Sequence, residues 1–266
     1  MKKQKLDLND KIKGRPIRLN RQVLSVKAGQ DYTEVIFIGD VHYGSPQFDE
    51  PRFLGMLEYC YKNKVMVMLM GDLLETATRY SVGSGVYEQT ENPGCQHETM
   101  VEWLRPLAEQ GQIIGSHSGN HEERIYKETG VNISKALCRE LKIPYLGDAC
   151  WNQFRVGKET YTIYSLHGRT GSRFDGTALL ALERISTSFF ADMVCCGHVH
   201  KCINSIVLMQ NVVSGRVVEH KKHLLITGSY LKYDGGYGQT LGLPISKLGS
   251  PKVKFYSSKH DILISW

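Results

Sequence analysis

Long apolar runs are missing from this chain of 266 residues: the longest, Val65–Met70, reads VMVMLM. A bilayer needs roughly 20 such residues, so no membrane span is expected. Lysines open the sequence with no apolar segment behind them, and no secretory signal is expected either. The seven cysteines are odd in number and scattered. That argues against a disulfide framework and for reduced thiols in a cytoplasmic protein. Internal repeats, low-complexity tracts and an evident linker are absent too. Excess charge is confined: residues 1–21 hold eight cations against Asp7 and Asp10, which accounts for the whole net charge of +6. The reading is a basic N-terminal arm, 1–21, followed by a single domain over 22–266. The arm is either a solvated tail or a contact for nucleic-acid phosphates.

What is present is ordinary globular composition, 41% hydrophobic and 23% charged, in an alternating pattern. Buried strands are predicted at Glu34–Asp40, Lys64–Asp72 and in QIIGSHSGNH. Helices are predicted at 51–63, in HETMVEWLRPLAEQ, whose end Pro106 obscures, and in ISKALCRELK. This β-α-β-α-β order implies a largely parallel, covered sheet. The second half adds a hairpin around Gly157, a helix in TALLALERISTSFF and a strand in ADMVCCGH. More β segments run from Ile203 to Ile226, with a turn near Glu219–Lys222, and two C-terminal strands follow. Two sheets flanked by helices would absorb them.

The densest cluster of metal-binding residue types is MVCCGHVHKC, Met193–Cys202. In an extended strand Cys196, His198, His200 and Cys202 share a face. At about 3.3 Å per residue they span about 20 Å, too far to converge on one ion. A second ligand pair at zinc-finger spacing is missing. A turn at Gly197 instead lets His198 and His200 reach two neighbouring ions, which two-metal sites hold about 3.5–4 Å apart. Cys195 and Cys196 then read as small apolar residues of the preceding strand. Each other buried strand also ends in a polar turn, most with a glycine: GDVH (Gly39–His42), GDLLE (Gly71–Glu75), GNHE (Gly119–Glu122) and LHG (Leu166–Gly168). Ligands of α/β sheets bind at that carboxyl edge.

This ordered set resembles the calcineurin-like metallophosphoesterase superfamily, with its GD-x-H, GD-x-x-[DN], GNH-[ED], lone His and GH-x-H, over roughly residues 34–202. A narrower likeness is to small phage- or prophage-encoded members. The resemblance implies a four-layer α-β-β-α sandwich and a dinuclear phosphoester hydrolase. In it Asp40, His42 and His200 would bind one divalent ion, Asn120, His167 and His198 a second, and Asp72 would bridge them. Oxygen and imidazole donors suit Mn²⁺, with Fe, Zn²⁺ or Ni²⁺ as alternatives. Paired ions activate water for in-line attack, and His121 would assist the leaving group.

Three departures matter. Glu75 stands where the family has Asp or Asn, one methylene longer, and either orients His121 or points to solvent. No arginine directly follows the second motif, which leaves Arg79 as the nearest phosphate contact. Arg169 replaces a common second histidine, as a phosphate contact or a surface residue. The polar stretch 79–99, with Tyr80, Tyr87 and His97, and the Gly-, Tyr- and Lys-rich stretch 229–251 are either binding loops or connections. His117 reads as core. A phosphodiesterase acting on nucleotides or nucleic acid is favoured. A phosphomonoesterase and a non-catalytic binding scaffold are the alternatives. Oligomeric state is not legible.

Overall fold

The computed structural model describes residues 19–79, 81, 85–168, 174–235, 237–240, 242 and 244–266. Most of the basic arm (1–18), Tyr80 and Arg169 lie outside the described residues. Elements follow in the order β1 (Leu19–Leu24), β2 (Tyr32–Ile38), α1 (Glu50–Asn63), β3 (Met66–Leu69), α2 (Pro93–Glu109), β4 (Ile113–His117), α3 (Asn120–Thr129) and α4 (Ile133–Glu140). Then come β5 (Tyr145–Gly147), β6 (Ala149–Val156), β7 (Glu159–Leu166), α5 (Asp175–Ser186), β8 (Met193–Cys196), β9 (Cys202–Val213), β10 (Arg216–Thr227), β11 (Lys252–Tyr256) and β12 (Ile262–Ser265). One sheet runs β1-β6-β7-β8-β10-β9 and the other β12-β11-β2-β3-β4-β5. Both mix parallel and antiparallel pairs.

Strand periodicity divides the apolar residues among layers. Along β2, Val35 and Phe37 enter the core between the sheets, while Ile36 and Ile38 face the helices. There they meet Phe53, Leu57 and Cys60 of α1 and Met100, Leu104 and Leu107 of α2. On the far side, Ala178 and Leu182 of α5 cover Val194, Cys196, Leu224 and Ile226. The four-layer α-β-β-α sandwich expected from the sequence is therefore present. Among the described residues no helix is long and apolar enough to cross a membrane.

Several local readings need correction. Leu19–Leu24 pairs in parallel with β6, so Arg21 belongs to a strand and not to the arm. The stretch 79–99 is no continuous loop: it holds a 3₁₀ turn at Gly85–Tyr87 and the start of α2. Asn92 caps that helix by accepting from Gly94 N–H and Cys95 N–H. Pro106 is tolerated inside it. The turn of the β9–β10 hairpin lies at Ser214–Gly215, both with positive φ, and not near Glu219–Lys222. A two-residue left-handed turn matches the twist of a hairpin. Charged residues 219–222 pair regularly with 207–210 of β9.

Because β2, β3 and β4 run parallel, and β7 and β8 likewise, their carboxyl ends share one edge of the molecule. The five polar turns sit there.

Candidate metal centre

The chain leaves each strand sharply. Asp40, His42, Asp72, His198 and His200 all have left-handed backbone, with φ between +48° and +69°. For non-glycine residues this is uncommon and costs energy, and such residues cluster at functional sites. The turns are also tight. A Cβ on Gly119 would lie 2.0 Å from Asp72 Oδ1 and 2.1 Å from Asp72 N. One on Gly71 (φ +92°) would meet Gly119 N and His167 Nδ1 at 2.9 Å.

These turns bring the motif residues together. His42 Nε2 lies 3.0 Å from His200 Nε2 and 3.9 Å from Asp40 Oδ1. His200 Nε2 is 3.3 Å from Asp40 Oδ1. His167 Nε2 is 3.1 Å from both Asn120 Oδ1 and Asp72 Oδ2. Asp72 Oδ2 is also 3.9 Å from His42 Nε2, so this carboxylate stands between the two groups. Donor atoms of Asp40, His42 and His200 converge within one metal-sized cluster, and those of Asp72, His167 and His198 within another.

The remaining bonds orient these donors. His167 Nδ1–H donates to Met70 O at 2.9 Å, which turns Nε2 inward. His42 Nδ1–H donates to Glu75 Oε2 at 3.0 Å. His198 N–H donates to both oxygens of Asp40, and His121 N–H to Asp72 Oδ1. Such outer partners fix tautomer and ring direction in metal sites. One buried atom here, His198 Nδ1, has no hydrogen-bond partner, and Asp72 Oδ2 has beside it only the ring nitrogen His167 Nε2, at 3.1 Å. Orphaned buried polar atoms are costly unless something else satisfies them. An oxygen- and imidazole-binding cation would do so, and the donor set fits one at each cluster.

Electrostatics follow from burial and pairing. Burial works against the charge on Asp40 and Asp72. His200 and His167 nevertheless hold Asp40 below its ordinary range, and His167 and His121 hold Asp72 well below. Burial and the neighbouring His121 push His42 down to about 4. Burial lowers His167 as well, but Asp72 prevails and raises it to about 10. The folded value of His167 exceeds its unfolded 6.5. Its proton therefore stabilises the metal-free fold fully below 6.5, and that contribution is lost as pH rises toward 10. A cation at Nε2 displaces this proton. Loading metal at pH 7 is thus expected to release about one proton per chain, read as a buffer-dependent heat in calorimetry. Equal heats in buffers of different ionisation enthalpy would contradict it.

Glu75 answers an open choice: it points inward. Its Oε2 is 3.3 Å from His121 Nδ1 as well as hydrogen-bonded to His42, and its carbonyl accepts from His121 Nδ1–H at 3.0 Å. Burial notwithstanding, these two histidines hold Glu75 far below the carboxylate range. His121 itself is lowered by burial but raised further by Asp72 and Glu75. Arg79 is exposed. Tyr87 is 95% exposed. His117 is buried, bonded to Ser165 Oγ and Gly147 O, as a core residue would be. Cys195 and Cys196 are buried in β8, and burial raises the Cys196 thiol to about 12. No cysteine belongs to a metal-sized cluster among the described residues.

Two residues were missed. Glu122 is buried and takes the N–H groups of Asp72, Leu73, Leu74 and Gly119, fastening the second turn to the third. Burial and the Asp72 charge push it up to about 7, against those bonds. Its signal was present: a glutamate three residues after a helix-capping position. Arg124 contacts both His121 and Glu75.

No family model and no curated protein matches the sequence. Among solved structures the chain is similar to a conserved uncharacterized protein, a predicted phosphoesterase, from Streptococcus pneumoniae TIGR4, with 13% identity, 89% of this chain and 90% of that one covered, and a TM-score of 0.40. It is similar to Vacuolar Protein Sorting 29 from Cryptosporidium parvum, at 16% identity, 89% and 98% coverage and TM-score 0.38. Another is wild-type Vps29 from Entamoeba histolytica complexed with zinc, at 16%, 88% and 97%, and TM-score 0.36. At such identities and scores the chemistry has to come from this chain's own side chains.

Proposed function

We propose that this chain is a metal-dependent phosphoester hydrolase of the calcineurin-like kind. One observation carries the reading: two adjoining sets of inward-facing oxygen and imidazole donors, with Asp72 between them, beside the partly exposed imidazole of His121. Asp40, His42 and His200 would hold one divalent ion, and Asn120, His167 and His198 the other. Mn²⁺ suits this donor set, and Fe, Zn²⁺ or Ni²⁺ also do. Bound ions of this type supply an activated water and neutralise charge on a phosphoryl group.

The rest is done by the chain itself. Glu75 fastens His42 and His121 through their Nδ1 atoms. That leaves His121 Nε2 as the nitrogen that meets the ester and gives a proton to the leaving oxygen. Glu122 and the tight approach at Gly119 keep the second and third turns in register.

Within this reading a phosphodiesterase acting on nucleotides or nucleic acid is preferred. No arginine follows the second motif directly, and the basic arm favours a polyanionic substrate. With Mn²⁺, bis-p-nitrophenyl phosphate is expected to turn over faster than p-nitrophenyl phosphate. The opposite order would assign a phosphomonoesterase. Hydrolysis of neither would remove the hydrolase reading.

A further inference from the structure

Arg124 lies one helical turn beyond His121 on α3, on the same side. His121 turns Nδ1 toward Glu75, 3.0 Å from its carbonyl and 3.3 Å from Oε2, so Nε2 is the ring nitrogen left for substrate. Arg124 Nη2 sits 2.9 Å from that Nε2. Its Nη1 donates to Glu75 O at 3.3 Å and lies 3.6 Å from Glu75 Oε1, while the side chain stays 23% exposed. A guanidinium has five donors and no acceptor, so His121 Nε2 can only accept from it. Any ester oxygen that His121 reaches is therefore beside Arg124 as well. A phosphoryl oxygen is a stronger acceptor than a neutral imidazole nitrogen, and it matches the planar fork of a guanidinium.

We infer that Arg124 is a substrate-positioning residue that grips a phosphoryl oxygen on the leaving-group side of the site; as the ester arrives it frees His121 Nε2, which takes up from solvent the proton it then gives to the leaving oxygen. It supplies, from the third motif, the guanidinium that the second motif lacks. The inference rests on the hydrolase reading above. A purely structural arginine would brace Glu75 and leave phosphate affinity untouched, and the test uses that difference.

The full chain loaded with Mn²⁺ is compared with Arg124→Ala, Arg124→Gln and Arg124→Lys, with Arg105→Ala as a surface control, since Arg105 is exposed and pairs with the exposed Glu140. Binding of inorganic phosphate is measured by calorimetry, manganese content by elemental analysis, and KM and kcat with bis-p-nitrophenyl phosphate. Arg124→Ala and Arg124→Gln are expected to weaken phosphate binding and raise KM about 10- to 100-fold with manganese retained. Lysine, or added guanidinium ion on the alanine variant, should restore part of the affinity, and Arg105→Ala should change nothing. Unchanged phosphate affinity in the alanine and glutamine variants overturns the assignment, as does loss of manganese from both, which would make Arg124 structural. If the unaltered chain neither hydrolyses esters nor binds phosphate with Mn²⁺, the hydrolase reading itself fails. If it does both while Arg124→Ala keeps its affinity, only the role of Arg124 falls.

Discussion

On the hydrolase reading proposed above, replacing Asp72 with asparagine is expected to leave a folded protein that binds divalent metal far more weakly and hydrolyses at least about a thousandfold more slowly. The side chain is 1% exposed and serves three neighbours. Oδ1 accepts from His121 N–H at 2.8 Å, and Oδ2 lies 3.1 Å from His167 Nε2 and 3.9 Å from His42 Nε2. Asparagine keeps an oxygen for the His121 amide, so the turn survives. It loses the negative charge that stands between the two donor clusters. Several kcal/mol of electrostatic stabilisation go with it, and each tenfold in rate is 1.36 kcal/mol. Manganese per chain, kcat/KM and circular dichroism together check this. A variant that keeps two ions and near-full activity would remove Asp72 from the centre. His167 should also lose its raised pKa in the metal-free variant, since Asp72 is what lifts it against burial.

His121→Ala has a different signature. Its backbone N–H still reaches Asp72 Oδ1, so metal content should hold. Only the imidazole is lost. If that imidazole protonates the leaving oxygen, kcat falls about 10²- to 10⁴-fold for an alkoxide leaving group such as a nucleoside. With p-nitrophenolate, which departs without a proton, the loss should stay below about tenfold by the same reasoning. The dependence on leaving group is the measurement. An equal loss for both esters would mean that His121 acts by binding and not by proton transfer. Unaltered hydrolysis of both esters would remove His121 from the chemistry.

The strand-end turns were legible because a buried parallel strand leaves a plain trace: a short apolar run, then a glycine, then a polar residue. β2, β3 and β8 follow that form. α3 left no such trace. Helices are read from an apolar stripe, and the only buried residue of NHEERIYKET is Glu122. Without a helix beginning at Asn120 there was no phase to place Arg124 over His121. Glu75 was ambiguous for a related reason, because its direction depends on how Thr76 and Gln96 hold the loop behind it. The hairpin turn was misplaced since the outer half of β9 and β10 is exposed on both faces, with Val212, Val213, Val217 and Val218 all partly in solvent. A ribbon of that kind carries charged and apolar residues alike, so Glu219–Lys222 imitated a loop while Ser214–Gly215 supplied the turn.

The neighbour of β2 has a consequence for how the molecule is made. The strand that delivers Asp40 is zipped on one side to β3, which follows it closely in sequence, and on the other to β11, whose Val253 pairs with Val35. During synthesis that second edge stays open until Lys252–Tyr256 has left the ribosome. Until then a nascent chain carries β2 with one edge unpaired. Assembly of the pocket must wait for a contact between distant parts of the polypeptide, the sort of contact that makes folding slow.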